Sequence, residues 1–507
     1  MMGGFCCVQF ITISLALTIT CMVNSTAVAE LQRNERISHF TESIPHYNLS
    51  TTSLPKAEFS LKSEQCESTQ TGDRVVVDYG GSLIWDHRVQ NLLFKGTFLG
   101  ALFTAIPAIF VLQRYSIKRI VAFSVILYSL CALIVPYLAL NYGENSVFAS
   151  RLVMGLAESF AHPSFNTLIS NWFPITERST AIALYTTGNQ LATAGGNPLC
   201  AWFCRSSFGW QGVFYMSGIV GFSWTVIWLT FSSNQPSKCK FMSPKEKAYL
   251  SYHCVTRSHK MGQNAAPYKK ILTSRPFLAQ LQAHFFVSMI ASMLQLYLPS
   301  YFKEVLLLGI MENGVYTAIP NVAMFVWKLC WSMIMDKCKA KHILTPTQAV
   351  KLSQAMACFG MALNMVSIAF FVDCSTPLLA LSLVTLTWCS MGCSVSGFIT
   401  SMLSIAPRYT ATISAISTFV ALLGRLCAPQ GVGLIKKTGT LAEWKSIFLY
   451  GGAMVAFSGI LFLIFGSAEV QPWGEEDSIT EDNKEEREIE YEMMIKERRH
   501  TASISIQ

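Results

Sequence analysis

Charge is scarce in this 507-residue chain: only 13% of it is Asp, Glu, Lys or Arg, against about 25% in an ordinary soluble protein. The deficit is concentrated in long stretches with almost no ionisable residue, and the short segments between them hold most of the charge. No Gly-x-x-x-x-Gly-Lys-Ser/Thr loop is present to cradle a nucleotide phosphate, so any transport would draw on an ion gradient or the membrane potential. The sixteen cysteines show no metal-cluster spacing; Cys330, Cys358, Cys389 and Cys393 fall within apolar segments and behave as small hydrophobes. Cys66 lies in a long polar stretch, where Cys200 or Cys204 would be its disulfide partner. No nucleophile–base pair stands out, so the chain does not look like an enzyme. Lys and Arg are missing before Arg33; without a basic leader to mark a signal peptide, the first apolar run is read as a retained helix.

What is present is a 51% hydrophobic chain organised for a bilayer, where about 20 mostly apolar residues cross roughly 30 Å of hydrocarbon. Candidate spans fall near 4–28, 91–112, 120–141, 147–170, 180–203 and 210–232, then near 278–302, 313–334, 352–372, 376–402, 410–435 and 446–466. Residues 233–277 between the sets carry nine Lys and Arg. The expected architecture is an all-α membrane protein with twelve spans in two six-helix bundles. Residues 1–232 form the first bundle, with a long loop at 29–90; 233–277 are a linker, 278–468 the second bundle and 469–507 a charged tail.

The net charge of +8 does not point to nucleic acid, because the basic residues gather in short loops. With the linker cytoplasmic, Arg114, Lys118, Arg119, Arg178, Lys337, Lys339 and Lys341 all fall inside, as the positive-inside rule asks. Lys436 and Lys437 are exceptions on the outer side. Both termini are then cytoplasmic and 29–90 faces the exterior or a lumen. Two glycosylation acceptors, Asn24-Ser25-Thr26 at the end of the first span and Asn48-Leu49-Ser50 in that loop, need that face. A plasma membrane and a vesicle or lysosome membrane fit equally.

More specific residues follow in order. Arg151-Leu-Val-Met-Gly155-Leu-Ala-Glu158 leads to Pro163, Trp172-Phe-Pro174, Glu177-Arg178-Ser179, Gly188-Asn-Gln190, Pro198, Gly209-Trp210 and Phe214-Tyr215. The second half adds Leu298-Pro299-Ser-Tyr301, Asn313-Gly314, Ile319-Pro320, Ile405-Ala-Pro407-Arg408-Tyr409 and Phe465-Gly466-Ser467-Ala-Glu469-Val-Gln471-Pro-Trp473. The series resembles the anion:cation symporter branch of the major facilitator superfamily, solute carrier family 17, which holds sialin, the vesicular glutamate transporters and the sodium/phosphate cotransporters. The resemblance implies two bundles around a central cavity and alternating access. It also implies a small organic or inorganic anion as substrate (phosphate, carboxylate or acidic sugar), H+ or Na+ as coupling ion, and no other cofactor. The protein is expected to work as a monomer.

An ionisable group inside a span costs about 2.5–3.5 kcal/mol on insertion scales and marks a functional candidate. Arg151 and Glu158 are seven residues apart, two helical turns or about 10 Å along one face. The family's fourth-helix Arg and Glu map onto them. Arg151 offers bidentate donation to an anion, Glu158 is suited to carrying a proton, and His162, one turn on, titrates near neutrality. The competing reading of the pair is a static charge couple between helices. Arg425 sits mid-span where the family has a small residue, and would either bind the anion or partner an acid of the other bundle. Gln190, Tyr297, Tyr301 and Ser396 are candidate cavity donors, His284 a packing residue, and Lys95 and Lys328 candidates for snorkelling to a surface. Where the family carries a first-helix arginine, this chain has Thr12; Ala108 and Ile109 replace glycines, Ser404 an acid and Thr418 an asparagine. The missing arginine leaves a second function open, a transporter-derived sensor or scaffold.

Overall fold

In the computed structural model the described residues are 2–31, 77–173, 178–234, 239, 242–243, 246, 250, 268–405 and 409–472. Among them run twelve long helices. The first six are α1 (Met2–Met22), α2 (His87–Arg114), α3 (Ile117–Asn141), α4 (Glu144–Trp172), α5 (Arg178–Arg205) and α6 (Gly209–Phe231). The second six are α7 (Arg275–Glu304), α8 (Ile310–Ala340), α9 (Pro346–Phe371), α10 (Pro377–Ser404), α11 (Thr410–Ile435) and α12 (Leu441–Phe465). Nine of them are both long and apolar enough to cross a membrane by length and composition. Asn48 and Cys66 lie outside the described residues, as do most of the linker and the tail.

The helices overrun the expected spans because their ends are capped. Asp86 accepts the Val89 amide, and Thr345 and Thr440 form capping boxes with Gln348 and Glu443, which satisfy amides left free at a helix start. α1 ends several residues short of its expected limit, at Met22, where the chain turns into a bridge with Leu83. Helix pairing repeats with an offset of six: α2–α4, α3–α4, α3–α6 and α1–α5 in the first half match α8–α10, α9–α10, α9–α12 and α7–α11 in the second. Close approach depends on glycine at the α2–α4 crossing, where a β-carbon on Gly155 would collide with the Thr97 carbonyl and one on Gly100 with that of Leu152. Gly195, in contrast, has nothing within 4 Å.

α1 is built into the bundle rather than appended to it, with 83% of its apolar window buried. A disulfide joins Cys21 at its end to Cys204 at the end of α5. This corrects the expected Cys66 pairing, since Cys204 is taken by Cys21 and Cys200 is free. α10 is interrupted by a π-helical turn, Val395–Ile399, at Gly397. The Gln354 side-chain oxygen enters there and accepts the Phe398 amide at 3.1 Å, and single π turns of this kind bend helices near functional sites.

Among the described residues, the hydrogen bonds and ion pairs that cross between the halves lie at the Met22 end or midway. Lys303, near the end of α7, donates to the Thr20 carbonyl at 2.6 Å and to Ser25 Oγ at 2.8 Å, and sits 4.4 Å from the centre of the Tyr79 ring. Tyr79 donates in return to the Leu308 carbonyl at 2.5 Å, and Tyr297 of α7 donates to Asn91 of α2. Burial works to raise the Asp78 carboxyl, but the amides of Gly80 and Thr26, the Thr26 hydroxyl and the Lys303 ammonium together hold it below its ordinary value. Each half thus inserts a side chain into the other, and this end is clasped shut.

Two hydrogen bonds rest on Lys303, and each buried acceptor left unpaired costs about 1–3 kcal/mol. Lys303→Met is therefore expected to loosen this end. A cysteine placed at Gln90, which lines the same outer cavity as Lys303, should then react faster with a water-soluble maleimide than it does beside Lys303.

Candidate functional site

Midway along the helices lies a small cavity lined by residues of both halves. From the first half come Gln9, Thr12 and Ile13 of α1, Phe98 of α2, Glu158 of α4 and Asn189 of α5. From the second come Ser292, Gln295 and Leu296 of α7, Met324 of α8, Trp388 and Met391 of α10, and Arg425 of α11. The wall is mixed: amides and hydroxyls on one part, thioethers and rings on another, with a single cation and a single carboxylate among its lining side chains.

Those two charges meet. Arg425 Nη1 lies 3.9 Å from Glu158 Oε1, with the glutamate side chain 4% exposed and the arginine 36%. The Glu158–Arg425 contact crosses from one half to the other, so Arg425 faces an acid of the opposite bundle. The other carboxylate oxygen of Glu158 accepts the Tyr128 hydroxyl at 2.9 Å, and Tyr128 is completely buried. Thr12 Oγ1 donates to the Val8 carbonyl at 3.0 Å and reaches Tyr128 Oη at 3.5 Å. Glu158 is therefore held from behind by α3 and from the front by α11.

Arg151 is placed differently. It is 2% exposed and turns onto α1, with Nη2 donating to the Thr12 carbonyl at 3.1 Å and Nη1 to that of Ile11 at 3.5 Å. Its guanidinium thus braces the wall behind Thr12 and does not line the cavity. An arginine at position 12 would stand in front of that guanidinium, and two like charges so close oppose each other. Arg425 approaches the same space from the far side.

The other expected donors are dispersed. Gln190 is buried in α5 beside the lining residue Asn189, and its side-chain oxygen is unpartnered. Tyr297 belongs to the Met22-end clasp, packed edge-on against Phe94. Tyr301 lies in an aromatic cluster with Trp444 and Phe448, and Ser396 bonds Ser332 at 3.1 Å. His284 packs on Phe398 and contacts Ser417 Oγ at 2.7 Å. The side chain of His162 lies outside the described residues. Asn24 accepts the Ala27 amide at 2.8 Å, folding its acceptor tripeptide into the clasp beside Lys303. The exceptional Lys436 is paired with Glu304 at 2.7 Å and lies 4.9 Å from the Trp444 ring, so its charge is neutralised locally.

Several lining residues escaped the sequence. Ser292 and Gln295 are three apart on one face of α7, a polar pair in an apolar run that gave a usable signal. Tyr128 and Trp388 gave none, since an aromatic residue in a span reads as packing. The indole nitrogen of Trp388 is buried and unpartnered at the cavity wall.

Residues 11–429 match the family described as Major Facilitator Superfamily. The chain is 45% identical over 492 residues to the uncharacterized transporter slc-17.3 of Caenorhabditis elegans, covering 96% of this chain and 90% of that protein. It is 29% identical to sialin of Ovis aries over 78% of each chain. To vesicular glutamate transporter 1 of Xenopus tropicalis it is 28% identical over 81% of this chain and 71% of the other. Among solved structures, a D-xylose-proton symporter superposes with a TM-score of 0.63 at 13% identity, over 92% of this chain and 96% of that one. At that identity the likeness is one of fold.

The Tyr128 hydroxyl is a buried donor to a charged acceptor. Tyr128→Phe should lower stability by about 1–2 kcal/mol, measured as a drop in the detergent-solubilised melting temperature. Tyr137→Phe, at an exposed ring of the same helix, should leave it unchanged.

Proposed function

Because the chain belongs to the major facilitator superfamily, and within it to the solute carrier branch of sialin and the vesicular glutamate transporters, we propose that this multi-pass membrane transporter moves a small anionic solute by alternating access, coupled to H+ or Na+. The observation that carries the proposal is the Glu158–Arg425 pair across the halves, inside the cavity. Arg425 is the cation positioned to receive a carboxylate, phosphate or acidic sugar, and Glu158 is the group that competes with it.

That competition supplies a coupling device. While Glu158 is ionised it occupies Arg425; a proton on Glu158 releases the guanidinium for the solute. Solute and proton then favour the same arrangement, which is what symport needs. Trading a buried carboxylate for a substrate anion keeps the cavity's charge balanced, and charge balance matters more here than in water because the surroundings are apolar. Arg151 takes a supporting role, fixing the backbone of α1 under Thr12. The halves clasp at one end and enclose the cavity midway, the arrangement expected of a fold whose bundles rock about a central site.

Two observations support an outer side at the Met22 end. The Cys21–Cys204 disulfide and the disulfide-bonded Cys374 lie there, and disulfides persist in oxidising compartments. The positively charged loops lie at the opposite end. The termini are accordingly assigned to the cytoplasm. Nothing in the cavity favours a sensor or scaffold over transport.

Purified protein in liposomes tests this. Flux of phosphate, glutamate, sialic acid and urate is measured under imposed pH or Na+ gradients. At least one anion should move against its gradient; Arg425→Ala should reduce that flux at least about tenfold, the loss expected for one charged hydrogen bond. Glu158→Gln should leave downhill flux while removing its dependence on a proton gradient. Flux of a neutral solute alone would contradict the assignment.

A further inference from the structure

One buried charge has no part in the mechanism above. Lys328, in the middle of α8, is 5% exposed. Among the described residues, no acid lies within ion-pair distance of its ammonium and no acceptor bonds it, although every other buried lysine is engaged: Lys303 by Thr20 and Ser25, Lys436 by Glu304. It does not snorkel along a lipid-facing surface. The buried stripe of α8 runs through Gly314, Thr317, Asn321, Met324 and Lys328, while Val322, Val326 and Leu329 face outward.

That stripe is the one that builds the central site. A β-carbon on Gly314 would press on Ala201 of the other half. Met324 lines the cavity, and Lys328 follows it by one helical turn, about 6 Å along the axis. On the neighbouring helix, Met391 lines the cavity; a β-carbon on the next residue, Gly392, would lie 3.5 Å from Lys328 Cβ and 3.6 Å from Met324 Cγ. The lysine thus leaves α8 next to the cavity wall, on the side away from the clasped Met22 end. A buried ammonium in an apolar surrounding is costly unless it gives up its proton or finds a counter-charge at some stage. Arg425 is already matched by Glu158 and the Arg151 guanidinium is bonded to α1 carbonyls, so among the described residues Lys328 is the cation adjoining this cavity with neither a counter-charge nor an acceptor.

We propose that Lys328 is a second anion-binding residue, taking a carboxylate or phosphate group of the solute on the side of the cavity away from the Met22 end, one turn from Met324. This rests on the anion reading of the same cavity and adds to it a place and an order. Solute entering from that side meets Lys328 before Arg425, and a solute with two anionic groups engages both. A primary ammonium, a compact point charge on a flexible stem, suits a contact that is made and released.

The test measures binding and flux on the full-length chain in lipid nanodiscs and liposomes, with inorganic phosphate, sulfate and a series of mono- and dicarboxylates as probes. Wild type, Lys328→Met, Lys328→Gln and Lys328→Arg are compared. For each anion that raises the wild-type melting temperature, Lys328→Met should weaken apparent affinity about tenfold or more, with Lys328→Arg close to wild type. Lys328→Gln carries the same comparison should the methionine variant not fold. Without added anion the neutral variants should melt no lower than wild type, because they remove an unmatched charge. Anion affinity unchanged in both neutral variants would overturn the role of Lys328 while leaving the anion reading intact. A wild type that binds none of the anions would instead remove that reading, and this one with it.

Discussion

A charge placed halfway through a bilayer must be matched, and this fold is arranged around how it matches a few. Glu158 from the first half meets Arg425 from the second in a shared cavity, so an ion pair that joins the bundles midway is also one that a solute in the cavity would interrupt. Such pairs stabilise little, since desolvation offsets most of the attraction. They do make the energy depend on whether the partners are charged and together. On the proposed reading, that property gives two packed bundles more than one favourable arrangement.

The rest of the molecule supports that contact. Tyr128 fixes the far side of the carboxylate, and Arg151 fixes the α1 backbone beneath Thr12. At the Met22 end Lys303, Tyr79 and Tyr297 add hydrogen bonds to an apolar cluster that both halves share. The π turn at Gly397, wedged by Gln354, gives α10 a bend on the opposite side of the cavity.

Much of this was legible beforehand. Twelve apolar runs separated by charged loops dictate twelve helices because lipid offers no partner for free backbone groups, and the colinear series from Arg151 to Trp473 indicated the superfamily. Glu158 and Arg425 stood out as charges in the wrong solvent. Their meeting was less accessible: 267 positions separate them in sequence, and only the crossing of the halves brings them together. Arg151 shows the limit of the method. Its burial followed from its position, but its direction, onto the carbonyls of Ile11 and Thr12, depends on how α1 packs against α4. Tyr297 and Tyr301 failed to reach the cavity for the same reason, because both sit above it along α7, in the clasp and in an aromatic cluster. The cation facing this cavity stands on α11, with Arg151 behind Thr12.

The central claim is that a bound anion and the Glu158 carboxylate compete for one guanidinium. Infrared difference spectroscopy of the reconstituted protein, recorded on adding a transported anion at fixed pH, addresses it directly. The account predicts a protonated-carboxyl band that grows with anion occupancy and is missing in Glu158→Gln. An anion that binds fully with no change in that band would contradict it.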